Sequence, residues 1–102
     1  MKREYRNEKG QLHRVDGPSI EYINGNKWWY INGELHRTDG PAVEYNNGEK
    51  WWFINNKLHR EDGPAREYNN GSKEWYLNDI QYSEEEFHQE LIKLKLKRLI
   101  EL

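Results

Sequence analysis

The 102-residue sequence contains no cysteine, so neither a disulfide nor a thiolate metal site can hold it together. Only 34% of its residues are hydrophobic, and the mean hydropathy is −1.28. No stretch approaches the roughly 20 consecutive apolar residues of a membrane-spanning helix, and Lys2, Arg3, Glu4 and Tyr5 interrupt any secretory-signal pattern at the start. Sixteen Lys and Arg against 18 Asp and Glu leave a formal charge of −2, which supplies no field to attract nucleic acid. These absences lead us to expect one small cytoplasmic domain with no cofactor and no membrane span, for which nucleic acid is a disfavoured partner.

What the chain does have is rings: 14% aromatic residues, including five Trp and seven Tyr. Disordered chains lack such residues. Here they recur with a period of 23. Leu12, His13 and Arg14 return as Leu35, His36, Arg37 and as Leu58, His59, Arg60. Asp16-Gly17-Pro18 returns at Asp39 and Asp62, Asn24-Gly25 at Asn47 and Asn70, and Trp29 at Trp52 and Trp75. The units are 12–34, 35–57 and 58–80, preceded by a partial repeat, so that 1–82 is the repeat region and 83–102 a terminal helix.

Each unit reads as a hairpin. Asn-Gly between alternating segments is a strong turn signal because both residues accept positive φ. Asn32-Gly33, Asn55-Asn56 and Asn78-Asp79 predict a second turn, and Asp-Gly-Pro a corner in which Gly supplies a strained backbone and Pro sets φ. The expected fold is mainly β: an antiparallel β-hairpin meander or solenoid with one C-terminal α-helix. Period-two alternation puts Trp29, Trp52 and Trp75 with Ile31, Ile54 and Leu77 on one face, the expected core side, joined by Leu35, Leu58 and Ile80. Trp28, Tyr30, Trp51, Phe53 and Tyr76 fall on the other face, a candidate interaction surface. Trp28 and Trp51 align with Glu74 of the third unit, which suggests an exposed pair; the alternative is packing over Tyr22 and Tyr45.

The aromatic-x-Asn-Gly-x-x-His pattern, followed by Asp-Gly and Tyr-x-x-Gly, resembles MORN-type (membrane occupation and recognition nexus) repeats over roughly residues 5–82. It is most similar to the Leu-His-Arg-x-Asp-Gly-Pro-Ala variant arrays of bacteria, phages and large viruses. Arg14, Arg37 and Arg60 depart from the usual Gly after His. The resemblance implies a hairpin solenoid that contacts proteins or lipids, includes antitoxin-like members, and has no catalysis.

Ser83 and Glu86 form a capping-box signature, with Tyr82 and Phe87 at staple positions. Glu84–Glu86 and the later Lys93, Lys95, Lys97 and Arg98 complement the helix dipole. At 100° per residue the apolar residues form two stripes: Phe87, Leu91, Leu94 and Leu102 on one side, Ile92, Leu96, Leu99 and Ile100 on the other. A cap needs one stripe. The second is expected either to be wrapped by the curling sheet or to bind, with a homodimer the simplest arrangement.

His13, His36 and His59, each near Asp16, Asp39 or Asp62, are the only histidine–carboxylate sets that recur. A catalytic or metal centre is one asymmetric constellation, so a thrice-repeated set reads as scaffold, His bonding a turn and Arg pairing with a carboxylate. His88 reads as a solvated helix residue. No catalytic or metal residues are assigned. The expected function is a non-enzymatic protein-binding module, of the inhibitor or antitoxin kind that blocks a bacterial defence or toxin protein. The alternatives are a nucleotide, signalling-ligand or nucleic-acid binder using exposed rings, and a structural assembly module.

Overall fold

The computed structural model describes residues 1–101; Leu102, expected on the inner helix stripe, lies outside the described residues. Short strands β1 (Lys2–Glu4), β2 (Ile20–Tyr22), β3 (Lys27–Trp28), β6 (Val43–Glu44), β7 (Lys50–Trp51), β10 (Arg66–Glu67), β11 (Lys73–Leu77) and β12 (Ile80–Tyr82) form one open antiparallel sheet in chain order. β4 (Tyr30–Ile31) pairs only with β5 (Glu34–Leu35), and β8 (Phe53–Ile54) only with β9 (Lys57–Leu58). The chain then enters α1 (Glu84–Ile100).

The two turns of each unit differ. At Asn24-Gly25 and its equivalents only the glycines have positive φ (97°, 95° and 88° at Gly25, Gly48 and Gly71), so these are three-residue loops with Gly in the left-handed region. The expectation that both residues are left-handed fails here, because Asn24 and Asn70 each turn the side-chain oxygen back to accept an N–H two residues on. The two-residue turns with positive φ throughout are Asn32-Gly33, Asn55-Asn56 and Asn78-Asp79. There Asn and Asp tolerate the left-handed backbone.

The expected continuous meander breaks at Trp29 and Trp52. The Trp29 N–H donates to the Ala42 carbonyl of the main sheet, while its own carbonyl accepts the His36 N–H of the outer hairpin; Trp52 repeats this with Ala65 and His59. One residue thus serves two diverging sheets, its N–H bonded to one and its carbonyl to the other. Tyr5 is the equivalent residue of the partial repeat, bonded to Ser19 and His13. Its turn is one residue longer, with Arg6 opposite Leu12 where later units pair Tyr30 with Leu35. In the third unit β11 runs unbroken, pairing Trp75 with Tyr82.

Across the main sheet one register row reads Arg3, Glu21, Lys27, Glu44, Lys50, Glu67, Lys73. Every neighbour across the ladder has the opposite sign, which favours this register over a slip. A radius of gyration of 15.1 Å exceeds the about 13 Å of a compact 100-residue domain, and the molecule is only 18 Å thick. Among the described residues there is no deep core. Two small clusters do its work: Leu58, Ala65 and Tyr76 against Trp52 and Phe53, and Leu77, Phe87 and Leu91 against Trp75 and Tyr82.

Several expected faces change places. Tyr76 is only 9% exposed and Phe53 packs beside it, so both are core and not interaction surface. Ile80, expected in the core with Leu35 and Leu58, is exposed, because it occupies the repeat position of Glu34 and Lys57, which face solvent too. Trp28 and Trp51 are half-buried, as in the packed alternative. Each meets Tyr45 edge-on, at 6.5 and 5.6 Å between ring centres, and Tyr30 stacks on Trp28 at 6.4 Å. Their indole N–H groups are buried without a hydrogen-bond partner.

Trp52 joins the two sheets through its backbone and the core through its ring. Trp52→Ala is therefore expected to cost about 3 kcal/mol or more, measured by urea unfolding. A wild-type midpoint would contradict its role. Trp51→Ala, also half-buried, is expected to destabilise measurably too.

Candidate functional site

The three Leu-His-Arg segments build one recurring structure on the Trp29/Trp52 side of the sheet. Arg37 lays its guanidinium over the Trp29 ring at 3.9 Å, Arg60 over Trp52 at 3.8 Å, and Arg14 over Tyr5 at 4.1 Å. Each Nε donates to the Asp two residues on, at 3.0, 2.9 and 2.8 Å for Asp16, Asp39 and Asp62. Each Nη1 donates to the carbonyl of the following Pro (3.2, 3.0 and 3.0 Å) and faces Glu21, Glu44 or Glu67 at 3.3, 3.2 and 3.7 Å. The Arg14 hydrogen bond holds the Asp16 carboxyl below its usual range, and Arg37 does the same to Asp39.

The glycine of Asp-Gly-Pro is needed for a different reason than strain. None of Gly17, Gly40 and Gly63 has positive φ. A Cβ at these positions would stand 2.9, 2.8 and 2.9 Å from the guanidinium carbon, so glycine is the lid that lets arginine lie flat between ring and backbone.

The histidines stack successive hairpins. Nδ1 of His13, His36 and His59 each accepts, at 3.0 Å, the N–H of Asn32, Asn55 or Asn78 in the turn of the next hairpin. The carbonyls of Leu12, Leu35 and Leu58 accept the N–H of the following turn residue. This requires the neutral tautomer with its proton on Nε2, and in His59 that proton points to Glu61 at 2.8 Å. The His and Arg residues are thus held in scaffold contacts. Among the described residues no group of three His, Asp or Glu side chains is arranged to hold a metal ion.

Between consecutive nodes lie two equivalent grooves. One, of about 650 Å3, is floored by Trp29 and Ile31; the other, of about 820 Å3, by Trp52 and Ile54. Asp39 borders both. The arginines in the walls are mostly covered, while Asp16, Asp39 and Asp62 have 84–86% of their side chains exposed. No family model, curated protein or solved structure matches this chain. The site stands on its geometry.

The ring faces that a nucleotide would stack on are engaged. Arginines lie over Trp29, Trp52 and Trp51, and Trp28, Tyr45 and Trp51 pack edge to face.

The helix supplies the second candidate surface. Its N-cap is the predicted capping box: Ser83 Oγ accepts the Glu86 N–H and Glu86 accepts the Ser83 N–H, both at 3.1 Å. Phe87 and Leu91 are buried against Leu77, with Trp75 and Tyr82 packed around them. At the far end Arg98 grips Glu61 through two bonds, 2.7 and 2.6 Å. The helix therefore docks through 87, 91, 94 and 98, and the sheet does not wrap it. Ile92, Leu96, Leu99 and Ile100 point away from the sheet, 54–85% exposed. The Glu61–Arg98 clasp joins residues 37 apart and carried no sequence signal.

Two predictions follow from the nodes and the clasp. Gly40→Ala is expected to destabilise by about 1–3 kcal/mol, because the guanidinium it displaces is held on four sides. In an Arg37→Ala background the same change should cost little, and a double-mutant cycle in urea reads the difference. Arg98, aided by His59, holds the Glu61 carboxyl at about 2, against 4.5 ordinarily. A depressed carboxyl pKa stabilises the fold fully above 4.5 and loses that contribution as pH falls from 4.5 towards 2. The stability gap between wild type and Glu61→Gln should be present at pH 7 and close over that window.

Proposed function

We propose that the chain is a non-enzymatic protein-binding module, a MORN-like hairpin array that self-associates as a dimer through its helix and presents its sheet to a target. The observation that carries this reading is the outward stripe Ile92, Leu96, Leu99 and Ile100, all more than half exposed. Contiguous exposed apolar patches are uncommon on monomers and mark contacts. A two-fold axis through the stripe pairs the helices antiparallel and buries it on both copies with one kind of interface.

The anchoring of every repeated His, Arg and Asp in scaffold contacts supports a recognition role over catalysis. The resemblance to phage and antitoxin-type arrays extends the proposal: an inhibitor acting in the cytoplasm (the host's, for a phage-encoded chain) by blocking a defence or toxin protein. That extension is an analogy between folds.

Sedimentation equilibrium at roughly tens of micromolar tests the dimer, since interfaces of this modest size associate in the micromolar range. Wild type is expected at twice the 12.5 kDa chain mass, and Leu96→Glu/Leu99→Glu at one chain mass with a cooperative melt that, unlike that of wild type, does not depend on concentration. A wild-type monomer would overturn the self-association.

A further inference from the structure

We infer that the paired grooves between the arginine nodes form a docking track for a cationic polyproline II segment carrying a Lys or Arg at every third position. This goes beyond the helix reading, since the track lies on the sheet and needs no second copy.

The argument starts from spacing. Consecutive units are offset by two strands of the main sheet, for example β2 to β6. Two interstrand steps amount to about 9.6 Å, so equivalent points of the two grooves repeat at that interval. A ligand that uses both must present like side chains on one face with a matching period. An extended β-strand returns to the same face every two residues, about 6.7 Å, and its third residue faces the other way. Polyproline II returns every three residues, at about 9.3 Å. It also has no internal hydrogen bonds to break.

The chemistry of the grooves selects the side chain. Each floor is a Trp edge and an Ile side chain, Trp29 with Ile31 and Trp52 with Ile54. The arginine in each node already covers the ring face and is itself only 20–25% exposed. The charges a ligand meets are the aspartates, whose Oδ1 accepts from arginine while most of the carboxylate faces solvent. An apolar floor with a carboxylate at its rim fits a side chain with a hydrocarbon stem and a cationic head. At the helix end, Arg98 is neutralised by its two bonds to Glu61, and this clasp closes the second groove.

The test compares two synthetic peptides of equal charge, four repeats of Lys-Pro-Pro and four of Lys-Pro-Pro-Pro, titrated calorimetrically into the full chain. The three-residue spacing is expected to bind at least tenfold more tightly. Asp16→Asn/Asp39→Asn/Asp62→Asn, which keeps an acceptor for each arginine Nε, should abolish that preference without unfolding the protein. Ile31→Lys/Ile54→Lys should block both grooves. Equal affinity for the two peptides, tighter binding of the four-residue spacing, or undiminished preference in the asparagine variant would each overturn the inference. A monomeric wild type in sedimentation would leave it standing, because the grooves lie within one chain.

Discussion

The fold depends on an arginine laid flat. In each unit the guanidinium of Arg14, Arg37 or Arg60 is held between an aromatic ring and a glycine backbone, with an Asp and a proline carbonyl taking its N–H groups and a Glu carboxylate within 3.7 Å. A slab 18 Å thick cannot bury enough apolar surface to rely on a conventional core. A planar cation solves this, because it stacks like an aromatic ring and satisfies several acceptors at once. Lysine, a point charge without a plane, could do neither. The same demand fixes the neighbours: Asp two residues on, Gly next, then Pro with a free carbonyl.

The node also accounts for how the array ends. It needs a ring, an arginine and a following hairpin to receive the histidine. At the position 23 residues beyond Arg60 the sequence has Ser83, so Trp75 gains no arginine. The helix takes that place instead, with Phe87 and Leu91 covering Trp75 and Leu77. Without a node to split it, β11 stays continuous. Docking consumes one stripe of the helix and leaves the other outward, so capping and exposure of Ile92, Leu96, Leu99 and Ile100 have one cause. The clasp of Arg98 on Glu61 fixes the helix over the last node and sets which stripe faces out.

The repeat also separates two kinds of surface. On the Trp28 side, rings pack against one another and against Arg66, which closes that face. On the Trp29 side, each ring spends its face on arginine and leaves a groove beside it. The open side of this protein is therefore the one whose aromatic residues recur most strictly.

The 23-residue unit, the turn positions, the mainly β fold with its terminal helix and the capping box were legible in the amino-acid sequence. Each is a local matter of side-chain type at fixed spacing, such as Ser83 with Glu86 or Asn beside Gly. The scaffold reading of the histidines, each bonding a turn, rested on their repetition, and the structure supplies the donors, the Asn32, Asn55 and Asn78 N–H groups of the next hairpin. Alternation correctly grouped Trp28 with Tyr30 and Trp29 with Ile31, since strand geometry alone decides which side chains share a face. It could not say which face would be covered. That was decided by tertiary structure: by backbone splitting at Trp29 and Trp52, by guanidinium stacking that requires Gly40 without any unusual φ, and by a carboxylate and an arginine 37 residues apart. These depend on where separate segments meet in space, and a periodic sequence repeats its residues without stating what will pack on them.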